Sequence, residues 1–149
     1  MNLEIKIDEN LKEPKITISS PTLSDEIKKI TEILKNSFTL ENKLNVYKDS
    51  NMYILNLDEI ESIYASNNKV YVRTIKNETF TTKDKLYQLE ELLKYTSFVR
   101  ISNSEIVNFD KVERLNLKLT GTILLTFKSK NETYVSRRYI KLIKEYLKI

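Results

Sequence analysis

The 149-residue chain has no cysteine, no histidine and no tryptophan, one glycine and two prolines. Without cysteine there are no disulfides and no thiolate metal sites. Without histidine the commonest general base and metal ligand is missing, so catalysis would rest on carboxylates or lysine. A carboxylate pair such as Asp58 and Glu61 reads as a solvated turn rather than a pocket. The expectation is a non-enzyme with no cofactor, no metal and no small-molecule substrate. No apolar run approaches the roughly 18–20 residues that span a bilayer. The amino terminus lacks a basic, apolar, small-residue signal pattern. Together these predict a cytoplasmic protein. With a single glycine, asparagine must serve at turns that need left-handed backbone angles.

What is present suits one domain with a small appendage. Apolar residues make up 40% of the chain, enough for a core, and charged residues 31%. Net charge is +4, but it is unevenly spread. Residues 1–40 carry six lysines against seven acids, residues 41–97 eight basic against nine acidic, and residues 98–149 eleven basic against five acidic. The whole basic surplus lies in the last third, which points to an anionic partner.

Leu3, Ile5 and Ile7 alternate with Glu4 and Lys6 and predict a half-buried strand. Ile16 and Ile18 alternate after Pro14 and predict an edge strand. Thr22 suits a helix cap, with Leu23, Ile27, Ile30, Leu34 and Phe38 at helical spacing. Residues 1–40 thus read as a strand-strand-helix appendage whose apolar helix face must pack on the next domain or on another copy of the chain. Beyond a boundary near residue 40 the texture becomes short β-rich runs at 44–47, 52–55, 60–64, 70–75 and 79–82, separated by polar turns at 49–51, 67–68 and 76–78. Leu86, Leu89, Leu92 and Leu93 mark a short helix. Runs at 112–119 and 122–127 flank Gly121 as a hairpin. Residues 133–135 follow, then a helix starting near Arg137 or Arg138 with Ile140, Ile143 and Leu147 as its stripe. The class is mainly β with flanking helices (α+β).

Residues 98–108 stand out. The runs 98–101 and 106–107 flank a polar knuckle, Ser102-Asn103-Ser104, too short to bury itself. It predicts a strand end that presents Arg100, Asn103 and Ser104 outward. Arg and Asn carry the forked donors and acceptors that match guanine and adenine edges in the major groove. Ser136-Arg137-Arg138-Tyr139 and a basic helix follow.

Ile60-Glu61-Ser62-Ile63-Tyr64, the strand at 69–74, the leucine helix, Phe98-Val99-Arg100-Ile101-Ser102-Asn103-Ser104, Ile106-Val107-Asn108 and Ser136-Arg137-Arg138-Tyr139 occur in an order that resembles the LytTR DNA-binding domain of bacterial transcription regulators. The resemblance covers residues 44–149. It implies an elongated, mostly antiparallel β fold whose loops, rather than a recognition helix, enter successive major grooves. Base and phosphate contacts then fall on Asn103 and Arg138, helped by the loop at Asn67-Asn68-Lys69. Family members often carry histidine near that first loop, where this chain has none. About forty residues precede the domain, too few for a doubly wound receiver, so the chain looks like a stand-alone regulator. The family further implies a small membrane protein as a restraining partner.

Each proposed contact has a plainer alternative. Arg138 forks onto guanine or clamps a phosphate, or it pairs with Glu105 or Glu113. Asn103 bonds adenine, or caps its own turn. Arg100 meets a phosphate or forms a cross-strand ion pair. Ser102, Ser104, Lys69 and Arg137 suit the phosphates, against ordinary solvated ends. The expected function is a sequence-specific regulator of double-stranded DNA, with homodimers on repeated sites joined through residues 1–40. The competing reading is a β-rich protein-interaction module without DNA binding.

Overall fold

The computed structural model describes residues 2–39 and 42–149, with the side chains of residues 36–39 outside that description. Ten strands form among these residues, most of them rich in β-branched or aromatic side chains. Seven make one antiparallel sheet: β1 (Lys43–Lys48), β2 (Asn51–Asn56), β3 (Ile60–Ser66), β4 (Lys69–Thr74), β5 (Thr79–Thr82), β6 (Phe98–Ser102) and β7 (Glu105–Asn108), ordered β2-β1-β5-β4-β3-β7-β6. Three make a second sheet, β8 (Val112–Leu117), β9 (Ile123–Phe127) and β10 (Glu132–Val135), with β9 in the middle. Helices α1 (Asp25–Thr39), α2 (Leu86–Leu92) and α3 (Ile140–Leu147) complete the fold.

Asparagine takes the place of glycine in two of the tight turns, whereas Asp49 and Ser50, at φ 50° and 64°, turn β1 into β2 and Lys130, at 76°, lies between β9 and β10. Asn67 and Asn68 both have positive φ, 49° and 60°, as a two-residue hairpin between twisted strands requires. Asn77 does the same between β4 and β5, at 61°. Gly121, at φ 80°, turns β8 into β9.

Two cores result. The first packs α2, through Leu86, Leu89 and Leu93, onto Val46, Ile60, Ile63, Val72, Phe80, Phe98 and Ile106. The second gathers Ile101, Val107, Ile123, Leu125, Phe127, Val135 and Ile143 between the second sheet, α3 and strands β6 and β7. Side chains alternate across a strand, so Ile106 enters one core and Val107 the other. Burying each such side chain contributes about 1.5–3 kcal/mol.

Polar side chains lock the layers. Glu61 is fully buried, paired to Arg73 Nε at 2.9 Å, and accepts hydrogen bonds from the Ser129 hydroxyl and from Asn131 Nδ2 at 2.9 Å. It ties β3 and β4 to the β9–β10 turn. The solvated turn expected for Asp58 and Glu61 is therefore wrong for Glu61. A bulge between Ile60 and Ser62 breaks the strand's alternation, so that Ile60 and Ile63 share one core and this carboxylate turns toward the second sheet. Asp58 is exposed and bonds Lys111 Nζ at 2.6 Å, which holds its carboxyl below the usual range. Asn108 donates to the Ile60 carbonyl at 2.9 Å and accepts from Ser97 Oγ at 2.8 Å.

The amino-terminal third departs from expectation. The strands expected at Leu3–Ile7 and at Ile16 and Ile18 do not form, and residues 2–24 contain no strand. Leu3, Ile5 and Ile7 are 92%, 82% and 88% exposed. Alternation alone gives no neighbour to bond. The cap of α1 is Ser24 rather than Thr22: Ser24 Oγ accepts from the Ile27 amide at 3.3 Å. Ile27, Ile30 and Leu34 are half-buried. The Phe38 side chain and the boundary near residue 40 lie outside the described residues. One hydrogen bond, from the Tyr95 hydroxyl to Glu32 Oε2 at 3.4 Å, joins α1 to the segment after α2. The last helix starts later than expected. Arg137–Tyr139 form a 3-10 turn, and α3 begins at Ile140.

Candidate nucleic-acid interface

Strand register decides which loops share an end of the sheet. β3 pairs antiparallel with β7, Tyr64 opposite Glu105. The Asn67-Asn68 turn beyond β3 therefore lies beside the Asn103-Ser104 turn before β7. The Ala65 amide donates to the Ser104 carbonyl at 2.8 Å and seals that contact. β4 starts at this end with Lys69, and β5 finishes there, because Val70 faces Thr82. The Ser136 amide bonds the Ile101 carbonyl at 2.9 Å and draws the 3-10 turn to the same place. The Tyr139 hydroxyl then donates to Asn103 Oδ1 at 3.2 Å.

Lys69, Ser102, Asn103, Ser104, Arg137 and Arg138 are thus gathered at one end, and all except half-buried Ser102 are exposed. The Arg137 carbonyl accepts from the Ile140 amide, but the guanidinium groups of Arg137 and Arg138 have no hydrogen-bond or ion-pair partner among the described residues. The two acids that could have engaged Arg138 are occupied elsewhere. Glu105 accepts from Thr133 Oγ1 at 2.6 Å, and Glu113 pairs with Lys130 at 2.7 Å, which holds its carboxyl low. Asn103 does not cap its own turn. Its side-chain oxygen is committed to Tyr139, leaving the amide nitrogen to point elsewhere.

Arg100 is placed differently from its expected outward pose. Its guanidinium folds back, pairing with Glu90 Oε2 at 2.7 Å and donating to the Ser102 carbonyl at 2.8 Å and to the Asn103 carbonyl. It braces the turn from within. Ser102 Oγ accepts from the Ser104 amide at 3.2 Å and tightens the turn further. Glu105, at the base of this turn, is largely buried, and burial pushes its carboxyl above the usual range against the Thr133 bond.

Sequence reasoning missed three contributors. Lys83 and Lys85 follow β5 and line a shallow recess with Asn68 and Lys69. Tyr139 joins the two halves of the surface. Counting hairpin register from the Asn67-Asn68 turn would have found the lysines, whereas nothing local announces the tyrosine. At the opposite end of the sheet acids and lysines occur together, Asp58 with Lys111 and Asp110 with Lys128. There Asp58, Glu59 and Asp110 line a cleft of about 640 Å³. The two ends therefore differ in pairing: Asp58 is held by Lys111 at one, and the Arg137 and Arg138 guanidinium groups are unpaired among the described residues at the other.

An antiparallel β scaffold that offers cation-bearing loops at one end defines a loop-presenting, polyanion-binding domain. The particular family is the LytTr DNA-binding domain, to which this chain belongs: the family model matches residues 50–148. It is a family of DNA-binding regulator domains, not of enzymes. An uncharacterised HTH-type transcriptional regulator of Staphylococcus aureus strain NCTC 8325 is 36% identical over 149 residues, covering 100% of this chain and 99% of the relative. The corresponding regulator of strain MRSA252 matches to the same extent, 36% over 149 residues. The LytTr domain of a Bacillus cereus protein, named as a methyl-accepting/DNA response regulator, shares the fold with a TM-score of 0.69 at 23% identity. It covers 73% of this chain and 99% of its own. No helix among the described residues is long and apolar enough to cross a membrane.

Proposed function

We propose that the protein is a sequence-specific, double-stranded DNA-binding transcription regulator of the bacterial cytoplasm that reads bases with loops. Asn103 and Arg138 contact base edges in the major groove. Lys69, Arg137, Ser102 and Ser104 meet phosphates, joined by Lys83 and Lys85. Arg100 positions the turn and makes no contact of its own. One observation carries this reading. The Tyr139–Asn103 hydrogen bond makes the two polar segments one surface, on which both arginines are unpaired among the described residues. A desolvated arginine paired to an acid would be structural. An unpaired one beside an oriented amide is available to a nucleic acid. Two copies joined through residues 1–40 bind repeated sites, and tethering makes the second engagement intramolecular.

Selection from a random duplex library, with wild type beside Asn103→Ala and Arg138→Ala, tests it. Wild type recovers a repeated motif. Arg138→Ala loses about 1–3 kcal/mol and relaxes one position. Arg137→Ala weakens all sequences alike and lowers the salt slope by about one. Enrichment of no motif at low salt would sink the reading in favour of a protein-interaction module.

A further inference from the structure

Residues 3–7 alternate apolar and charged side chains outside any regular element. They make no hydrogen bond among the described residues and carry neither turn nor bend. Leu3, Ile5 and Ile7 lie almost fully in water, and an extended backbone would put them on one face with Glu4 and Lys6 on the other. The order of these five residues, Leu3-Glu4-Ile5-Lys6-Ile7, is complementary to itself when reversed.

In an antiparallel pair, residues directly opposite point to the same face. With a two-fold axis through Ile5, Leu3 meets Ile7, Ile5 meets Ile5, and Glu4 meets Lys6 on both sides. The apolar row is unbroken and both charged pairs attract. Shifting the axis to Glu4 sets two glutamates face to face. Shifting it to Lys6 sets two lysines face to face and Glu4 against Asp8. A slip of one residue sends every apolar side chain to the wrong face. One register therefore survives.

We infer that residues 3–7 of two copies of this chain pair antiparallel about Ile5, forming the isologous seam of a homodimer. The inference rests on the dimer part of the proposed function and gives it a register. A lone two-stranded ribbon is marginal in water. The second alternating stretch, Ile16 and Ile18, and the half-buried stripe of α1 lie in the same unit to cover it. The seam lies outside the residues matched by the DNA-binding domain, so pairing and base reading are separable.

Analytical ultracentrifugation of the full chain reads the association. Wild type sediments as a dimer. Glu4→Lys alone and Lys6→Glu alone each raise the dimer dissociation constant at least about tenfold, because two attractive pairs become repulsive. An equimolar mixture of these two variants forms heterodimers, and the double exchange Glu4→Lys/Lys6→Glu restores wild-type association. Because the chain has no cysteine, Ile5→Cys links two copies under mild oxidation. Asp8→Cys does not, since two copies of that position lie about 20 Å apart in this register. Thermal unfolding of the domain is unchanged in every variant, which shows each is folded. A monomeric wild type, no rescue in the mixture, or equal cross-linking at positions 5 and 8 overturns the inference. Binding to a single half-site is measured in parallel. Its loss in all proteins with association intact would sink the DNA reading and leave the seam standing.

Discussion

Two stretches of this chain have the same alternating pattern and opposite fates. In β4, Val70, Val72 and Thr74 are 9%, 0% and 4% exposed. In the amino-terminal arm, Leu3, Ile5 and Ile7 are nearly bare. The difference is not propensity, since both are Val- or Ile-bearing and both alternate with charge. It is supply of neighbours. β4 has β3 on one side and β5 on the other, while the arm has no strand beside it among the described residues. A period-two pattern states that one face wants burial. It does not state by whom.

Substitution can break or sharpen that contrast. The largest effect belongs to Val72→Asp, which buries an unpaired charge and costs at least about 4 kcal/mol. Ile5→Asp shifts the urea midpoint of the domain by less than about 0.5 kcal/mol in equivalent stability. Equal losses at the two positions would mean that the arm belongs to the domain's core. Next comes Glu61→Ala, which strands Arg73 at the seam between the sheets. Arg73 is partly exposed, so about 3 kcal/mol, the low end for a broken buried pair, is expected in the same titration. Tyr139→Phe comes third. It removes one exposed hydrogen bond, worth about 0.5–1.5 kcal/mol, and should weaken DNA binding about three- to tenfold while lowering the melting temperature by only a few degrees. The smallest effect is pH-dependent. Burial raises the carboxyl of Glu105 in the folded chain, so ionising it costs more there than in the unfolded chain. Its favourable share of stability is complete at acid pH and is lost as pH rises through the folded value. Wild type should therefore fall behind Glu105→Gln between acid and neutral pH in denaturation midpoints. A gap that widens toward acid would refute the assignment.

Much of the domain was legible because its signals are local. The runs at 44–47, 52–55, 60–64, 70–75 and 79–82 became β1 to β5, and the asparagine turns took the positive φ that the shortage of glycine demanded. The gathering of Asn103 with Arg137 and Arg138 was legible only through resemblance, because 36 residues separate Asn103 from Tyr139, its bonding partner. Arg100 was misplaced for a related reason. A strand arginine beside a turn looks solvent-bound until Glu90, ten residues earlier, comes round on α2. Glu61 looked like part of a surface turn because its burial depends on Ser129 and Asn131, nearly seventy residues away. Local chemistry was readable, and long-range partners were not.

Strand β7 sends Ile106 into one core and Val107 into the other, so it is a party wall between two rooms. Neither sheet can melt and leave the other sealed, since either loss would wet a face of the same four residues. The domain should consequently lose its structure in a single cooperative step, with the calorimetric enthalpy equal to the van't Hoff value. The slowest-exchanging amides should cluster on β7 and its neighbours β3 and β6. The turn that holds Asn103 grows directly out of that wall. The exposed turn that offers Asn103 is thus rooted in the last part of the molecule to come apart.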